Sequence, residues 1–174
     1  NPPGKPNTLA VRVDNSLQPN CRWYSGSGIY RHTWLRITEP TCIAQWGTFV
    51  QTPEVTKDSV TIKISTRIQN DAHTADCNVM FELLDPSGAV IQQAKTDNQT
   101  IDPASDHPFI QTIKLANPTL WSSATPHMYS VRATLHSNGK QLDQTTTPFG
   151  IRTVAFDVDR GFLLNGEHIK LNGV

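Results

Sequence analysis

The sequence has few of the residues on which common functional sites depend. Only three residues are cysteine, Cys21, Cys42 and Cys77, and no pair has the C-x-x-C spacing of a zinc site. The six histidines are scattered, and none lies at metal-ligand spacing from another His or a Cys. We therefore expect no metal and no cofactor. Because free cysteines tend to be buried, reduced thiols in or near a core are expected, with one disulfide possible.

Charge and long apolar runs are also scarce. Charged residues make up 17% of the chain, and 15 Lys and Arg balance 15 Asp and Glu. A neutral chain has no electrostatic attraction for nucleic acid or an anionic membrane, so neither is expected as a partner. No apolar run approaches the ~20 residues of a membrane-spanning helix. The sequence starts without Met or a signal-like pattern, which suggests that it begins inside a longer chain.

Alternation with a period of two residues dominates the pattern, and helical periodicity is nearly absent. In residues 59–70, Val60, Ile62, Ile64 and Ile68 fall on one face and polar residues on the other, as in a strand buried on one side. Short antiparallel strands at this density indicate an all-β, immunoglobulin-like antiparallel sandwich. We predict seven strands, at residues 43–50, 59–70, 77–84, 89–95, 109–115, 127–137 and 140–147.

Turn residues separate these strands. Residues 85–88, Asp-Pro-Ser-Gly, predict a type I turn. Asn138-Gly139 and Asn165-Gly166 predict tight hairpins, since both residue types tolerate positive φ. The polar residues 97–107 are predicted to form a longer loop, and residues 118–123 at most a short helical turn.

An extra hairpin is predicted at the N-terminus. Leu9, Val11 and Val13 alternate with polar residues, and residues 29–37 form a second strand-like run. Such a hairpin has too little apolar surface to be stable alone, so its sheet is expected to lie elsewhere. Unpaired edges and an uncovered apolar face favour self-association through this hairpin.

The residues alone show no catalytic constellation. The glycines Gly26 and Gly28 precede a strand, whereas phosphate-binding glycines precede a helix, so a flexible turn is the favoured interpretation. Asp157 and Asp159 are expected to face solvent or a turn. No serine lies in a nucleophile elbow. These observations predict a chain that does no chemistry by itself.

Two aromatic clusters are unusual for a plain sandwich. Arg22, Trp23 and Tyr24 form one cluster; such a loop can stack on a sugar ring and hydrogen-bond its hydroxyls, although packing at a domain junction is favoured from the residue types alone. The second is Trp121, which we expect to fill one end of the sandwich.

The clusters lie in segments that resemble glycoside hydrolases of family 2, the β-galactosidase type. Residues 22–35, R-W-Y-S-G-S-G-I-Y-R followed by T-W-L, resemble the R-W-Y-P/S-G-x-G-I-Y-R…W-L signature of that family. Three further segments follow in the family's order: N-P-T-L-W…P-H-M-Y at 117–129, F-G-I-R at 149–152, and G-F-L-L-N-G…I-K-L-N-G-V at 161–174. Met128 replaces the usual Leu.

The resemblance implies a division into three parts. Residues 1–40 would be the C-terminal end of a sugar-binding jelly-roll domain, 41–148 a complete immunoglobulin-like sandwich, and 149–174 a linker and first hairpin leading into a (β/α)₈ barrel. The neighbouring jelly-roll and barrel domains are then its partners, together with β-linked sugars bound by the parent enzyme.

The resemblance also implies a function. The two catalytic glutamates of the family lie beyond Val174 in this alignment, and Glu54, Glu82 and Glu167 match no catalytic motif, so no catalytic residue is carried over. Only Arg22, Trp23 and Tyr24 are candidates for substrate binding, in the intact enzyme. The R-W-Y-S-G form favours a parent that hydrolyses terminal β-galactosides with retention.

Other functions stay open at this point. A β-glucuronidase or a β-mannosidase is the alternative for the parent, since both share the scaffold. The chain could be an autonomous carbohydrate-binding module that uses Trp23, Tyr24 and Trp34. A scaffold sandwich with no sugar role is disfavoured by the ordered motifs.

Overall fold

The structure is a computed structural model that describes residues 4–6, 8–17 and 26–173. The chain divides into two compact units, residues 1–36 and 37–174. All strands of the described residues belong to the second unit. The described part of the chain contains no helix that is long and apolar enough to cross a membrane.

Eleven strands follow one another along the second unit. They are β1 (Thr41–Val55), β2 (Ser59–Asn70), β3 (Ala75–Leu84), β4 (Val90–Lys95), β5 (Gln99–Ile101), β6 (Ser105–Ala116), β7 (Tyr129–Ser137), β8 (Lys140–Phe149), β9 (Val154–Asp157), β10 (Gly161–Leu164) and β11 (Glu167–His168). Each of the seven predicted strands corresponds to one of these, which confirms the all-β prediction.

Two antiparallel sheets form the sandwich. One has the order β1-β2-β6, and the other has the order β4-β3-β7-β8 with β5 also paired to β3. The predicted apolar face of β2 is buried, and so are Val79, Phe81 and Leu83 of β3 and the inward face of β7. These side chains form one core cluster, because alternate residues of both sheets point to the same interior.

The predicted turns are confirmed. The Gly88 N–H donates to the Asp85 carbonyl at 2.9 Å, and Gly88 has a φ of 87°. Asn138 and Gly139 both have positive φ, 50° and 76°, as a tight hairpin of this type requires.

Two local predictions are wrong. The predicted loop at 97–107 contains β5 and the start of β6, because Ile101 is buried at 1% exposure and ties this polar segment to the core. Residues 118–123 form no helical turn. The Trp121 N–H donates instead to the carbonyl of Ile151 at 2.8 Å, a partner far along the chain, so this segment is extended.

The predicted N-terminal hairpin is also wrong for the residues that the structure describes. Neither 8–17 nor 26–40 contains a strand. Leu9 and Trp34 are 90% and 88% exposed. The alternating pattern is genuine, but a strand needs a neighbour for its backbone hydrogen bonds, and the described part of this unit supplies none.

A bulge interrupts β1 opposite β2. Ile43 pairs with Ile68 and Thr48 with Thr66, so that residues 44–47 face a single residue, Arg67. Within the bulge Trp46 has a φ of 55° and is 92% exposed. Gly47 follows it, where a Cβ would lie 2.7 Å from the Ala44 carbonyl oxygen. The backbone is thus packed too closely here for a side chain at position 47.

Strands β9, β10 and β11 form a separate small sheet. Leu163 and Leu164 are buried, whereas Val154 and Phe156 are exposed, although the rings of Phe156 and Phe162 are in edge contact with centroids 5.4 Å apart. Asn165 and Gly166 form the predicted turn between β10 and β11, with φ values of 52° and 81°.

The two described cysteines are free and buried, as predicted. Cys42 lies on β1 and Cys77 on β3. Burial raises the pKa of the Cys77 thiol, because the thiolate would lose its hydration in the core. Cys21 lies outside the described residues.

Candidate functional site

The residues predicted to approach a sugar, Arg22, Trp23 and Tyr24, lie outside the described residues. The segment after them is described and rich in exposed aromatic groups. Tyr30 is 86% exposed, with the Arg31 guanidinium carbon 5.5 Å from its ring centroid. The rings of His32 and Trp34 lie 6.2 Å apart. Residues 29–32 line an open cleft of about 610 Å³.

The structure brings three of the four family-like segments together at one place. Trp121 belongs to the segment 117–129, Gly150 and Arg152 to 149–152, and Asn165 to 161–174. We call these four residues the junction cluster. They join the sandwich to the small sheet β9-β10-β11.

Trp121 packs on the backbone of Gly150. A Cβ at position 150 would lie 2.8 Å from Cγ of Trp121, closer than carbon atoms approach without strain. The backbone of Trp121 is held by its bond to Ile151, which is fully buried in the core. Glycine is therefore required at 150 so that the Trp121 side chain can pack against the backbone. Trp121 is half-buried and covers the sandwich where β8 ends, as predicted.

Arg152 lies over the other part of the indole. Its guanidinium carbon is 5.0 Å from the ring centroid of Trp121, within the range of a cation–π contact. One guanidinium N–H is also directed at the Gly150 carbonyl at 3.4 Å. Both contacts hold the planar group in one orientation, while the side chain stays exposed to solvent.

Asn165 fastens the small sheet to this arrangement. Its Nδ2 donates to the Trp121 carbonyl at 3.0 Å, and its Oδ1 accepts from the Thr153 N–H at 3.0 Å. Its own N–H donates to the Thr153 carbonyl, also at 3.0 Å. One side chain in a turn therefore connects three chain segments, and this requires an amide, which donates and accepts at once.

Tyr129 holds the chain segment that precedes Trp121. Its hydroxyl accepts a hydrogen bond from the Thr119 N–H at 3.0 Å, and its ring lies 6.1 Å from that of Phe149. Pro118 is buried beside it, and the Asn117 N–H donates to the Asp58 carbonyl at 2.8 Å. The segment before Trp121 is therefore fixed at both ends.

Two clefts flank the junction cluster. One, of about 460 Å³, is lined by Arg152 together with the apolar residues Val50, Met128, Phe149 and Val154. The other, of about 390 Å³, is lined by Val55, Pro118, Leu120, Thr153 and Asn165. Lys57 also lines the second cleft, so each cleft has one cationic residue. The Arg152 guanidinium of the first cleft is the one that contacts Trp121.

Two of the described carboxylates, those of Glu82 and Asp157, make structural contacts. Glu82 accepts from Arg132 and from Gln93, and the hydrogen bond from Arg132 lowers the pKa of its carboxyl. The Asp157 carboxylate accepts from the N–H groups of Arg160 and Asp159, which lowers its pKa and closes the turn before β10. The expectation that the Asp157 segment serves a turn is confirmed.

Glu54, Glu82 and Glu167 lie on three different strands, β1, β3 and β11. Retaining glycoside hydrolysis needs two carboxyl groups roughly 5 Å apart on either side of the scissile bond.

Among residues 4–6, 8–17 and 26–173, no group of three or more His, Cys, Asp or Glu could hold a metal ion.

The contact between Trp121 and Asn165 is not predicted by the sequence. The order of the segments gave no signal for it, since 44 residues separate the two. The bulge at Trp46 is not predicted either. The Trp46-Gly47 pair inside an otherwise apolar run is the signal that could have indicated a bulge.

Comparison with known proteins identifies the family. Residues 46–152 match the family Glycosyl hydrolases family 2. The chain is 38% identical over 171 residues to the β-galactosidase BoGH2A of Bacteroides ovatus, covering 98% of this chain and 20% of that protein. It is also 38% identical over 168 residues to a putative β-glucuronidase of Formosa agariphila, covering 97% of this chain and 16% of the relative.

A solved structure agrees with the sequence relatives. The family 2 glycosyl hydrolase of Bacteroides cellulosilyticus superposes with a TM-score of 0.82 at 34% identity, over 92% of this chain and 22% of that one. The chain thus spans about a fifth of the length of the relatives that it matches. The resemblance of the four ordered segments is confirmed. The chain belongs to family 2 of the glycosyl hydrolases.

Proposed function

We propose that this chain is a non-catalytic segment of a longer retaining glycosidase that hydrolyses terminal β-galactosides. The observation that carries the proposal is the 38% identity to a β-galactosidase along 98% of the chain. The R-W-Y-S-G form at residues 22–26 favours the same sugar. In this proposal residues 1–40 end a jelly-roll domain, 41–148 form the bridging sandwich, and 149–174 lead into the catalytic barrel.

The role of the segment is to hold the sugar-binding and catalytic domains together. The junction cluster supports this role, because it makes the passage from the sandwich to the small sheet rigid rather than flexible. The lack of a family catalytic motif at Glu54, Glu82 and Glu167 supports the absence of catalysis in the segment itself.

The test compares the 174-residue chain with the longer gene product that contains it. We expect 4-nitrophenyl β-D-galactoside to be hydrolysed by the longer protein and not by this chain. Turnover that co-purifies with the isolated chain would overturn its non-catalytic role. A longer protein that hydrolyses 4-nitrophenyl β-D-glucuronide and spares the galactoside would overturn the sugar assignment.

A β-glucuronidase is the second candidate for the parent. Its specific support is the equal identity, 38%, to a putative β-glucuronidase of Formosa agariphila. A β-glucuronidase of known structure also superposes with a TM-score of 0.71 at 29% identity. The two aryl glycosides assayed side by side separate these candidates, and an aryl β-mannoside tests the remaining alternative.

Arg22, Trp23 and Tyr24 are proposed to line the sugar site in the intact enzyme. Trp23→Ala in the longer protein should raise KM for the aryl glycoside at least several-fold, since an aromatic ring stacked on a sugar is lost. Trp46→Ala is the matched control, because Trp46 is an exposed tryptophan on the sandwich, where no sugar site is proposed. Equal effects of both substitutions would contradict the assignment.

Sugar binding by the isolated chain would indicate an autonomous carbohydrate-binding module instead. Calorimetric titration with methyl β-D-galactoside decides this point. Millimolar or tighter binding that is lost in Trp23→Ala would favour the module. We expect no binding, because the proposed pocket needs the neighbouring domains.

A further inference from the structure

Arg152 differs from the other arginines of the second unit. Residues 37–173, all described, contain Arg67, Arg132, Arg152 and Arg160. Three of them pair with a carboxylate: Arg67 with Asp106, Arg132 with Glu82, and Arg160 with Asp157. Arg152 has no carboxylate partner among the described residues, although its side chain is held in place by Trp121.

The orientation of Arg152 suits the capture of a carboxylate. A guanidinium forms its strongest contacts when two parallel N–H groups meet the two oxygens of one carboxylate. The guanidinium lies against the indole of Trp121 and one N–H donates to the Gly150 carbonyl, while the side chain stays exposed, so other N–H groups are accessible to a partner. Such an arrangement lowers the entropy lost when a partner binds.

The cleft beside Arg152 is open, and both apolar and polar groups line it. Met128 and Val154 at its rim are 40% and 54% exposed, and Val50 and Phe149 line it deeper. Its volume of about 460 Å³ exceeds that of a single large side chain. Apolar groups around a fixed cation are typical of the buried centre of an interface, not of a surface that stays in water.

We propose that this cleft is an interdomain socket, filled in the full-length enzyme by a loop of the catalytic domain. The loop places an Asp or Glu carboxylate on Arg152 and an apolar side chain between Met128 and Val154. This inference rests on the proposed function, in which the chain is one segment of a longer glycosidase. About four fifths of a relative's length lies outside the matched segment. This remaining length supplies the loop that fills the socket.

The test uses the full-length gene product with the photo-reactive residue p-benzoylphenylalanine in place of Val154. After irradiation and digestion, mass spectrometry should find one intramolecular cross-link to a peptide beyond residue 174 that contains Asp or Glu. Arg152→Gln in this background should lower the cross-link yield several-fold. Arg67→Gln is the matched control and should leave it unchanged, since Arg67 pairs with Asp106 on the sandwich surface.

Several outcomes would overturn the socket. These are a cross-link between two copies of the chain, a cross-link to residues 1–36, a peptide without an acidic residue, no cross-link to protein, or a yield that Arg152→Gln does not change. If the Val154 variant fails to fold, Met128 takes the photo-reactive residue. Aryl glycoside hydrolysis is assayed on the same samples. If the protein is inactive on every β-glycoside, the proposed function is refuted. If the cross-link still forms in that protein, the socket remains supported.

Discussion

A methyl group on Gly150 would lie 2.8 Å from Cγ of Trp121, because the indole ring packs directly on the glycine backbone. Neither Trp121 nor the backbone next to Gly150 can shift easily. The Trp121 N–H is bonded to the carbonyl of Ile151, and Ile151 is fully buried. The contact therefore fixes the chain where β8 leaves the sandwich.

Gly150→Ala is expected to destabilise the chain by about 1–3 kcal/mol, the usual cost of overpacking a close contact. Urea denaturation should show a lower midpoint with an unchanged slope. Gly173→Ala is the matched control, since a Cβ at 173 would meet nothing within 4 Å. Equal midpoints for the two variants would contradict the strain at position 150.

Asn70→Ala should be more damaging than its size suggests. Asn70 is fully buried, and its Oδ1 accepts from the Thr41 hydroxyl at 2.7 Å and from the Ala72 N–H at 3.1 Å. Its Nδ2 donates to the carbonyls of His73 and Ile101. Alanine leaves these groups unpaired at the end of the sandwich, so the free energy of unfolding should fall by at least about 2 kcal/mol.

The measurement for Asn70→Ala is again urea denaturation. Asn172→Ala, at an exposed asparagine, serves as the control and should lie within about 0.5 kcal/mol of the parent chain. A cost for Asn70→Ala as small as that of the control would show that the bonds of Asn70 are not retained in solution.

Glu82→Gln should reduce the loss of stability in acid. The hydrogen bond from Arg132 lowers the pKa of Glu82, so the folded chain favours the ionised form more than the unfolded chain does. This stabilisation is complete above the ordinary glutamate pKa of about 4.3 and is lost as the pH falls through the lowered folded-state pKa. The glutamine side chain does not titrate in this pH range.

Thermal melts at pH 6 and pH 3 provide the comparison. The drop in Tm between these pH values should be smaller for Glu82→Gln than for the parent chain. Glu167→Gln, at an exposed glutamate of β11, should retain the parent drop. Identical drops in all three proteins would mean that Glu82 does not contribute to acid stability.

We also expect the isolated chain to self-associate through its first unit. Tyr30, Trp34 and Leu35 are 86%, 88% and 87% exposed, and exposed apolar groups close together in the chain favour association. Light scattering should show a mass that rises with concentration. The double substitution Trp34→Ser and Leu35→Ser should suppress the rise.

The control for self-association is Phe49→Ser, which removes an exposed aromatic group from the outer side of the sandwich at 61% exposure. It should leave the association unchanged. Strictly monomeric behaviour of the parent chain at high concentration would contradict the prediction.

The sandwich could be predicted because its signals are local. Alternation in β2 follows directly from burial of one face, and Asn138-Gly139 demands a hairpin through its backbone geometry. The short strand β5 escaped prediction since only Ile101 of its three residues is buried. Alternation alone was misleading at residues 8–17, where no partner strand pairs with the described residues.

The candidate site could be predicted only in part. The ordered segments indicated the family, because their residue types are unusual and their order is fixed. Their meeting point depends on contacts such as that between Asn165 and Trp121, for which neither residue carries a local signal. The same holds for Arg152, whose lack of a carboxylate is visible only once the surroundings are placed.

Asn165 has a mechanical consequence. One amide side chain is hydrogen-bonded to both Thr153 and Trp121. The direction in which residues 169–173 leave the small sheet therefore depends on the position of the sandwich. A force on the exit segment would then also act on the Trp121 backbone, which is hydrogen-bonded to Ile151 of the core. Loss of the amide would widen the range of exit angles while leaving the sandwich itself intact.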